Sequence, residues 1–147
     1  MTITIIAQAD GSIVTVSFLH AQTDAQVESY AALWFPQSTV LGEIDPAKLP
    51  PYRFRDCWRQ SGQAIQVDMA LARAQRLVEI RAARNVRFAA LDAEWMRALG
   101  QKRTAEADAI EAKRQVLRDI PQTCAPLLDA CGSVDELIAF EPNWPEV

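Results

Sequence analysis

Residues of the types that catalysis or metal binding requires are few in this chain. His20 is the single histidine, and no serine or cysteine in a nucleophile context accompanies it, so we favour a structural role over a catalytic one. Cys57, Cys124 and Cys131 lack the spacing of a zinc site and are expected to be buried thiols of a reducing cytoplasm. The glycines are scattered singly and form no phosphate-binding loop. We therefore expect a protein that is not an enzyme and that needs no metal and no cofactor.

Arginine is the residue type whose arrangement most suggests a binding function. Residues 69–103 contain eight basic and three acidic side chains, although the whole chain has a formal net charge of −4. Four arginines lie on or near one side of a predicted helix in this segment: Arg73, Arg76, Arg84 and Arg87. Such a side could follow the phosphates of a nucleic acid. Because the rest of the chain is acidic, we favour a solvated face whose charges are screened by neighbouring acids.

Arg118 and Asp119 form a second candidate site, just before Pro121. One interpretation is helix termination, with Arg118 at the negative end of a helix and Asp119 bonded to a backbone amide or to Arg84. The other is that both side chains bind a client protein. Capping explains their spacing without a partner, so we favour it.

The tryptophans are a third group of candidates, since aromatic side chains are enriched where proteins bind each other. The chain has four of them. Trp95 lies within a strongly periodic segment and is expected in the core, and Trp34 belongs to a short predicted helix. Trp58 and Trp144 are the better candidates for an interface, although Trp144 could equally anchor the C-terminal tail on its own domain.

The longest regular pattern predicts a helix over residues 69–99, with Asp68 as N-cap and Gly100 as its stop. Apolar residues recur at spacings of three and four and predict a buried stripe: Leu71, Ala74, Val78, Ala82, Val86, Ala89, Ala93 and Met96. Other apolar residues lie beside this stripe and widen it: Leu77, Ile80, Phe88, Leu91, Trp95 and Ala98.

A second helix is predicted over residues 105–119, with Thr104 as N-cap and Pro121 as its end. The few residues between the helices allow only a tight reversal, so we expect an antiparallel αα-hairpin. Aliphatic contacts near Leu91 and Leu117 are expected to hold the two helices together. Four residues of the second helix should face the first: Ala107, Ile110, Leu117 and Ile120.

The first half of the chain predicts about four short strands and one helix. Residues 2–9 and 12–19 alternate around Asp10-Gly11, which predicts a hairpin with a type I′ turn. Thr23 and Gln26 form a capping box for a helix over residues 22–35.

Residues 36–51 lack periodicity and are interpreted as a connector. Residues 52–58 and 64–68 predict a second hairpin around Ser61-Gly62, with one solvated face.

The C-terminal region predicts one or two helical turns over residues 124–130. Ser133 with Glu136 is a capping box for a further short helix that runs to Phe140. The sequence therefore predicts an α+β fold. Its parts are a β-rich region with a short helix (1–67), a helical hairpin (68–121), and a short helix with a Pro/Trp tail (122–147).

The predicted hairpin contains an Arg-rich helix, a Leu-Asp step and a second helix with the pattern Gln-x-Leu-Arg-Asp-x-Pro. The residues of these patterns are Arg81, Arg84, Asn85, Leu91, Asp92, Gln115, Leu117, Arg118, Asp119 and Pro121. In these residues, and over the range 73–121, the chain resembles the C-terminal domain of phage tail assembly chaperone proteins and related tail-fibre assembly proteins. The chain departs from that family at Asp92, which is followed by Ala93-Glu94-Trp95, where many members have Asp-Trp.

The resemblance implies a non-enzymatic protein of bacteriophage tail morphogenesis. The expected role is an assembly chaperone in the host cytoplasm, which masks an apolar surface of a tail or tail-fibre protein until that protein oligomerises. Alternatives are a permanent component of the virion tail tip or fibre attachment region and, more remotely, a nucleic-acid-binding regulator that uses the Arg-rich helix. A homo-oligomer is a further alternative. We expect no association with a membrane, because no apolar run is long enough to span a bilayer. The candidate partner-binding residues are Trp58, Trp144, Arg73, Arg76, Arg84, Arg118 and Asp119.

Overall fold

The computed structural model describes residues 3–62 and 64–146 and has an α+β fold. The chain divides into two compact units, Met1–Met69 and Ala70–Val147. The elements, in chain order, are β1 (Ile3–Ala7), β2 (Ile13–Val16), α1 (Asp24–Trp34), β3 (Thr39–Ile44), β4 (Trp58–Ser61), β5 (Ala64–Val67), α2 (Met69–Gly100), α3 (Thr104–Ala130) and α4 (Val134–Ala139).

The first unit contains a three-stranded antiparallel sheet in the order β2-β1-β3 and a two-stranded hairpin, β4-β5. A bridge between Ser12 and Arg59 joins the two sheets. Their shared core consists of Ile5, Ile13, Trp58 and Ile65. Because successive side chains of a strand point to opposite faces, the buried Ile6 lies on the other face of β1.

The first hairpin is confirmed, but its predicted type I′ turn is wrong. Gln8 donates its backbone N–H to the carbonyl of Ser12 at 2.9 Å, so three residues, Ala9 to Gly11, form the loop. Gly11 has φ +80°, whereas Asp10 is not among the residues with positive φ. The Asp10 side chain instead accepts hydrogen bonds from the backbone and hydroxyl of Ser12. This is the three-residue hairpin that needs one glycine and not two left-handed residues.

The predicted connector over residues 36–51 is wrong, since it contains β3, which pairs with β1. The register shifts between Ile5 and Ile6, opposite Leu41, and Gly42 takes φ +110° beside this bulge. A bulge breaks the alternation of apolar and polar residues, which is why the strand has no clear sequence period.

The strand predicted over residues 52–58 is also wrong, because Tyr52–Cys57 forms two 3₁₀ turns with a kink at Phe54, and β4 begins at Trp58. Phe54 and Cys57 are both buried. A further 3₁₀ turn, Pro46–Lys48, precedes this segment. The hairpin around Ser61-Gly62 is present as β4 and β5.

The capping boxes give mixed results. At α1 the box is complete, because Thr23 accepts from the backbone of Gln26 and the Gln26 side chain accepts from the backbone of Thr23. At α4, Ser133 accepts from the backbone of Glu136 at 3.2 Å. The Glu136 carboxylate, however, binds the backbone N–H of Gly132 at 2.6 Å instead of closing the box on Ser133.

In the second unit α2 and α3 form the predicted antiparallel helical hairpin. Leu91 and Leu117 are fully buried, and all four α3 residues expected to face α2 are buried. The turn differs from the prediction, because Gly100 is the last residue of α2 and the left-handed position belongs to Lys102, with φ +57°. Lys102 and Arg103 donate backbone hydrogen bonds to Leu99 and Ala98, the pair of bonds that closes a Schellman motif.

A lysine in the left-handed region is strained, so Lys102→Gly is expected to stabilise the second unit by about 1 kcal/mol. The measurement is the urea midpoint followed by circular dichroism. Lys113→Gly is the matched control, since Lys113 is exposed within α3, where glycine costs about 1 kcal/mol. A lower midpoint for Lys102→Gly would contradict the assignment of this turn.

The prediction that α3 ends at Pro121 is wrong, as is the prediction of Thr104 as its N-cap. Arg103 is the N-cap, without a side-chain bond, and the helix continues through Pro121 and Pro126 to Ala130. A proline inside a helix costs about 3 kcal/mol. Beyond Pro121 the helix buries Cys124 and Leu128, and a fully buried apolar side chain of this kind contributes about 1.5–3 kcal/mol. Burial of these residues therefore offsets most of the cost of the two prolines, which is about 6 kcal/mol together.

Candidate protein-interaction surfaces

The arginines of α2 do share one side of the helix, but most of that side faces the interior of the second unit. Arg73 donates to the carbonyl oxygen of Cys131 at 2.7 Å. The Arg87 guanidinium lies over the ring of Trp144, 4.1 Å from its centroid. Arg84 binds the Asn85 side chain on its own helix. A surface that follows phosphates needs exposed guanidinium groups, so this geometry does not support the nucleic-acid interpretation.

Arg76 is the most buried of these arginines, with 5% of its surface exposed. Its Nε donates to the carbonyl oxygen of Leu137 at 3.0 Å and its Nη2 to that of Phe140 at 2.8 Å. Its Nη1 lies 2.5 Å from Oε2 of Glu79. Arg76 therefore ties α4 and the start of the C-terminal tail to α2, and it is not available to a partner.

The two tryptophans predicted at an interface are both occupied within their own units. Trp58 is only 1% exposed and lies in the core of the first unit, so its assignment to an interface is wrong. Trp144 is half-buried under Arg87. Of its two predicted roles, the structure therefore shows the anchor on its own domain.

Two residues of the family resemblance, Asp92 and Arg118, belong to a network of contacts in the helical hairpin. Arg114 of α3 pairs with Asp92 of α2 at 2.9 Å and lies over the ring of Trp95, 4.5 Å from its centroid. Arg114 also pairs with Glu111, to which Arg118 contributes a second ion pair at 2.8 Å. The hydrogen bond from Arg118 is the main reason that the pKa of Glu111 is lowered.

Arg118 and Asp119 do not end a helix, because α3 continues past them. Asp119 is exposed and accepts from the Gln115 side chain on its own helix, at 3.1 and 3.2 Å, rather than from Arg84. Arg118 donates to the oxygen of the same Gln115 side chain at 2.9 Å. The helix-termination interpretation is therefore wrong, and both side chains lie in a chain of polar contacts along α3.

The stripe predicted as the core of α2 is exposed along its whole length, and we name it the outer face. Its eight residues are all exposed: Leu71, Ala74, Val78, Ala82, Val86, Ala89, Ala93 and Met96. The buried side of α2 is instead formed by Ala72, Arg76, Ile80, Leu91 and Ala98. At 100° per residue these two sets lie on opposite sides of the helix. The predicted core face was thus wrong, and α2 has one apolar side within the hairpin and another toward solvent.

A second exposed apolar surface lies on α1 of the first unit, and we name it the aromatic patch. The Tyr30 ring contacts the rings of Phe18, Trp34 and Phe35, with centroids 5.3, 6.4 and 6.3 Å away. Trp34 is 64% exposed, and its neighbour Leu33 is exposed as well. Sequence reasoning missed Trp34 as a surface residue. No periodic signal separates it from the buried residues, since Trp34 follows Val27 and Ala31 at spacings of seven and three and lies on the same side of α1.

Groups that could support catalysis or membrane insertion are few. His20 is exposed, and all three cysteines are buried, as expected. Burial raises the pKa of the Cys124 thiol, which makes a thiolate nucleophile unfavourable there. Among residues 3–62 and 64–146 no cluster of metal-binding side chains is present. In the same part of the chain, no helix combines the length and hydropathy required to cross a bilayer.

Comparisons with known proteins give no relative. No family model, no curated protein and no solved structure matches this chain.

Proposed function

We propose that this protein is a non-enzymatic assembly chaperone of bacteriophage tails, which binds a tail or tail-fibre protein until that protein oligomerises. The aromatic patch carries this proposal. Tryptophan side chains dominate protein interfaces when a partner buries them, and 64% of the surface of Trp34 is exposed in the free protein. A chaperone of this kind acts by covering the apolar surface of its client and requires no catalytic residue.

The phage setting of the proposal rests on the resemblance of residues 73–121 to tail assembly chaperones. Several residues of that resemblance, including Asp92 and Arg118, are engaged within the helical hairpin. They therefore account for a shared scaffold, and client binding is assigned to a surface outside them. The aromatic patch is a surface of this kind, and it lies in the first unit.

The experiment is co-expression with the tail and tail-fibre proteins of the phage or prophage that encodes this chain. We expect the wild-type protein to increase the soluble fraction of one of them and to co-elute with it in size-exclusion chromatography. Trp34→Ser should abolish both effects, because truncating a central tryptophan commonly costs an interface about 2–4 kcal/mol.

The matched control is Leu127→Ser, which changes an apolar residue of similar exposure on α3. It should keep the client soluble. Equal loss of solubility in both variants would contradict the assignment of the aromatic patch. Mass spectrometry of purified virions separates the chaperone from the alternative function, because a stoichiometric amount of the protein in the particle would make it a permanent structural component.

A further inference from the structure

The outer face of α2 is long, apolar and weakly charged, although it faces solvent. Val78, Val86 and Met96 are each at least 60% exposed. From Leu71 to Met96 the face extends for about 38 Å at 1.5 Å per residue. Apolar surface of this length on a helix normally lies against another helix.

We infer that the outer face is covered by the outer face of a second copy, with the two α2 helices antiparallel. An antiparallel two-fold pair brings each residue opposite one residue of the other copy, and the distribution of residues along α2 suits one register. This inference does not depend on the proposed function, which uses the aromatic patch.

The apolar residues of the outer face match in this register. Val78 lies opposite Met96 of the second copy, and the remaining pairs are smaller: Ala82 opposite Ala93, and Val86 opposite Ala89. The alanines allow the two helices to approach closely in the middle, while valine and methionine fill the space at the ends. All three pairs have their midpoints within one residue of Arg87, so one two-fold axis satisfies them together.

The charged residues beside the face match in the same register. Arg81 and Asp92 are eleven residues apart, about three helical turns, so they lie on one edge of the face. Glu79 and Arg97 are eighteen residues apart, about five turns, and lie on the other edge. In an antiparallel pair each edge meets the same edge of its partner. Arg81 then faces Asp92 of the second copy, and Glu79 faces Arg97.

These acids can accept a second partner. Asp92 already pairs with Arg114, and Glu79 pairs with Arg76 and accepts a hydrogen bond from Gln75, but a carboxylate offers about four acceptor positions. The Asp92 side chain is half exposed. Among residues 3–62 and 64–146, no ion pair involves Arg81 or Arg97. In a parallel pair, each edge of the outer face would lie opposite the other edge of the second copy. Val78 would then lie opposite Val78 of the second copy, and not opposite the larger Met96.

The size of the face sets the expected affinity. A helix overlap of about 40 Å with a width of about 10 Å gives a footprint of about 400 Å² per copy, below the 800 Å² of a standard interface. We therefore expect a concentration-dependent dimer in the micromolar range. Sedimentation velocity of the full chain from about 5 to 200 µM covers this range.

Cysteine cross-linking tests the register directly. The variants Val78→Cys and Met96→Cys are purified separately and oxidised mildly, each alone and as an equimolar mixture. The mixture should give a disulfide-linked dimer. Neither variant should cross-link alone, since each new thiol lies about 27 Å along the helix axis from its own copy. The native cysteines are buried and do not compete.

Two substitutions on the outer face or at its edge test the dimer through its dissociation constant. Val86→Glu inserts a carboxylate in the middle of the interface and should raise the dissociation constant at least tenfold. Arg81→Glu should weaken the dimer at low salt by repulsion from Asp92, whereas Lys113→Glu, on the exposed side of α3, makes the same charge change and should have no effect.

Three results would overturn the inference: a monomeric wild type at every concentration, cross-linking of Val78→Cys with itself, or unchanged dimerisation of Val86→Glu. Circular dichroism of each variant excludes unfolding as the cause of a lost dimer. If the wild type is monomeric and Val86→Glu also fails to keep the tail-fibre protein soluble, the outer face belongs to the client and not to a second copy.

Discussion

Leu117→Asp is expected to unfold the helical hairpin. Leu117 has no exposed surface. The substitution therefore removes a core side chain and places a carboxyl group in an apolar environment without a hydrogen-bond partner. Losing the buried leucine alone costs about 2–5 kcal/mol, and an unpaired buried polar or charged group adds several more. Since a domain is typically stable by about 5–15 kcal/mol, little or no stability remains. Thermal unfolding followed by circular dichroism at 222 nm measures the effect.

Val116→Asp is the matched control for this prediction. Val116 precedes Leu117 on the same helix, and nearly half of its surface is exposed. The substitution has the same charge change and a similar loss of apolar volume, but the new carboxylate stays hydrated. We expect its unfolding temperature to stay within a few degrees of the wild type, because surface substitutions change stability by about 0.5 kcal/mol. Equal unfolding temperatures for the two variants would show that Leu117 is not in the core.

The difference between these neighbours shows what the sequence could predict about the hairpin. Periodicity identified both helices and the buried positions of α3, because α3 has a single apolar side. For α2 it identified the helix and the wrong face. Leu71 and Val86 belong to a more regular stripe than Ile80 and Leu91 do, and periodicity cannot distinguish a side that packs within the chain from a side that meets a partner.

Local rules failed where packing overrides them. Pro121 is a reliable helix terminator in isolation, but in α3 the continued burial of Cys124 and Leu128 outweighs its cost. The bulge beside Gly42 interrupts the alternation of apolar and polar residues, so periodicity did not identify β3 as a strand. Asp10-Gly11 identified the hairpin correctly, while the number of loop residues depended on how β1 and β2 align.

The candidate site was the least predictable part, because exposure is a property of the folded unit. Trp58 and Trp34 are the same residue type in similarly short elements. Trp58 fills the space between two sheets that meet only in the folded chain, whereas Trp34 is the last residue of α1 and is 64% exposed. No local pattern contains that difference. The arginines of α2 were similarly misleading, since the tail that engages Arg76 and Arg87 is more than fifty residues away in sequence.

Part of the resemblance to tail chaperones lies in residues that serve the helical hairpin itself. Arg114 joins the two helices through its ion pair with Asp92 and its position over the ring of Trp95, whereas Arg118 pairs with Glu111 within α3. A motif that includes Asp92 therefore describes the scaffold of the hairpin. Under the proposed function, we expect client specificity to come from residues outside the motif, such as those of the aromatic patch.

Arg76→Leu is expected to release the C-terminal segment from the second unit. The substitution leaves the carbonyl oxygens of Leu137 and Phe140 without their donors and leaves Glu79 without the guanidinium that lies 2.5 Å from it. Removing one partner of a buried ion pair costs about 3–5 kcal/mol. The cost falls on contacts between α2 and the C-terminal segment, so we expect local opening of α4 before the hairpin unfolds.

Hydrogen exchange measured by mass spectrometry distinguishes local opening from global unfolding. In Arg76→Leu the amides of α4, including those of Leu137 and Phe140 that are bonded within the segment, should exchange much faster, while those around Leu117 keep their protection. Arg76→Lys should restore little of the protection, because one ammonium group cannot reproduce the planar fork that reaches three acceptors. Lys113→Leu removes an exposed cation and should leave exchange unchanged. If α4 keeps wild-type protection in Arg76→Leu, the buried guanidinium is not what holds the C-terminal segment, and the burial of Leu137 must suffice.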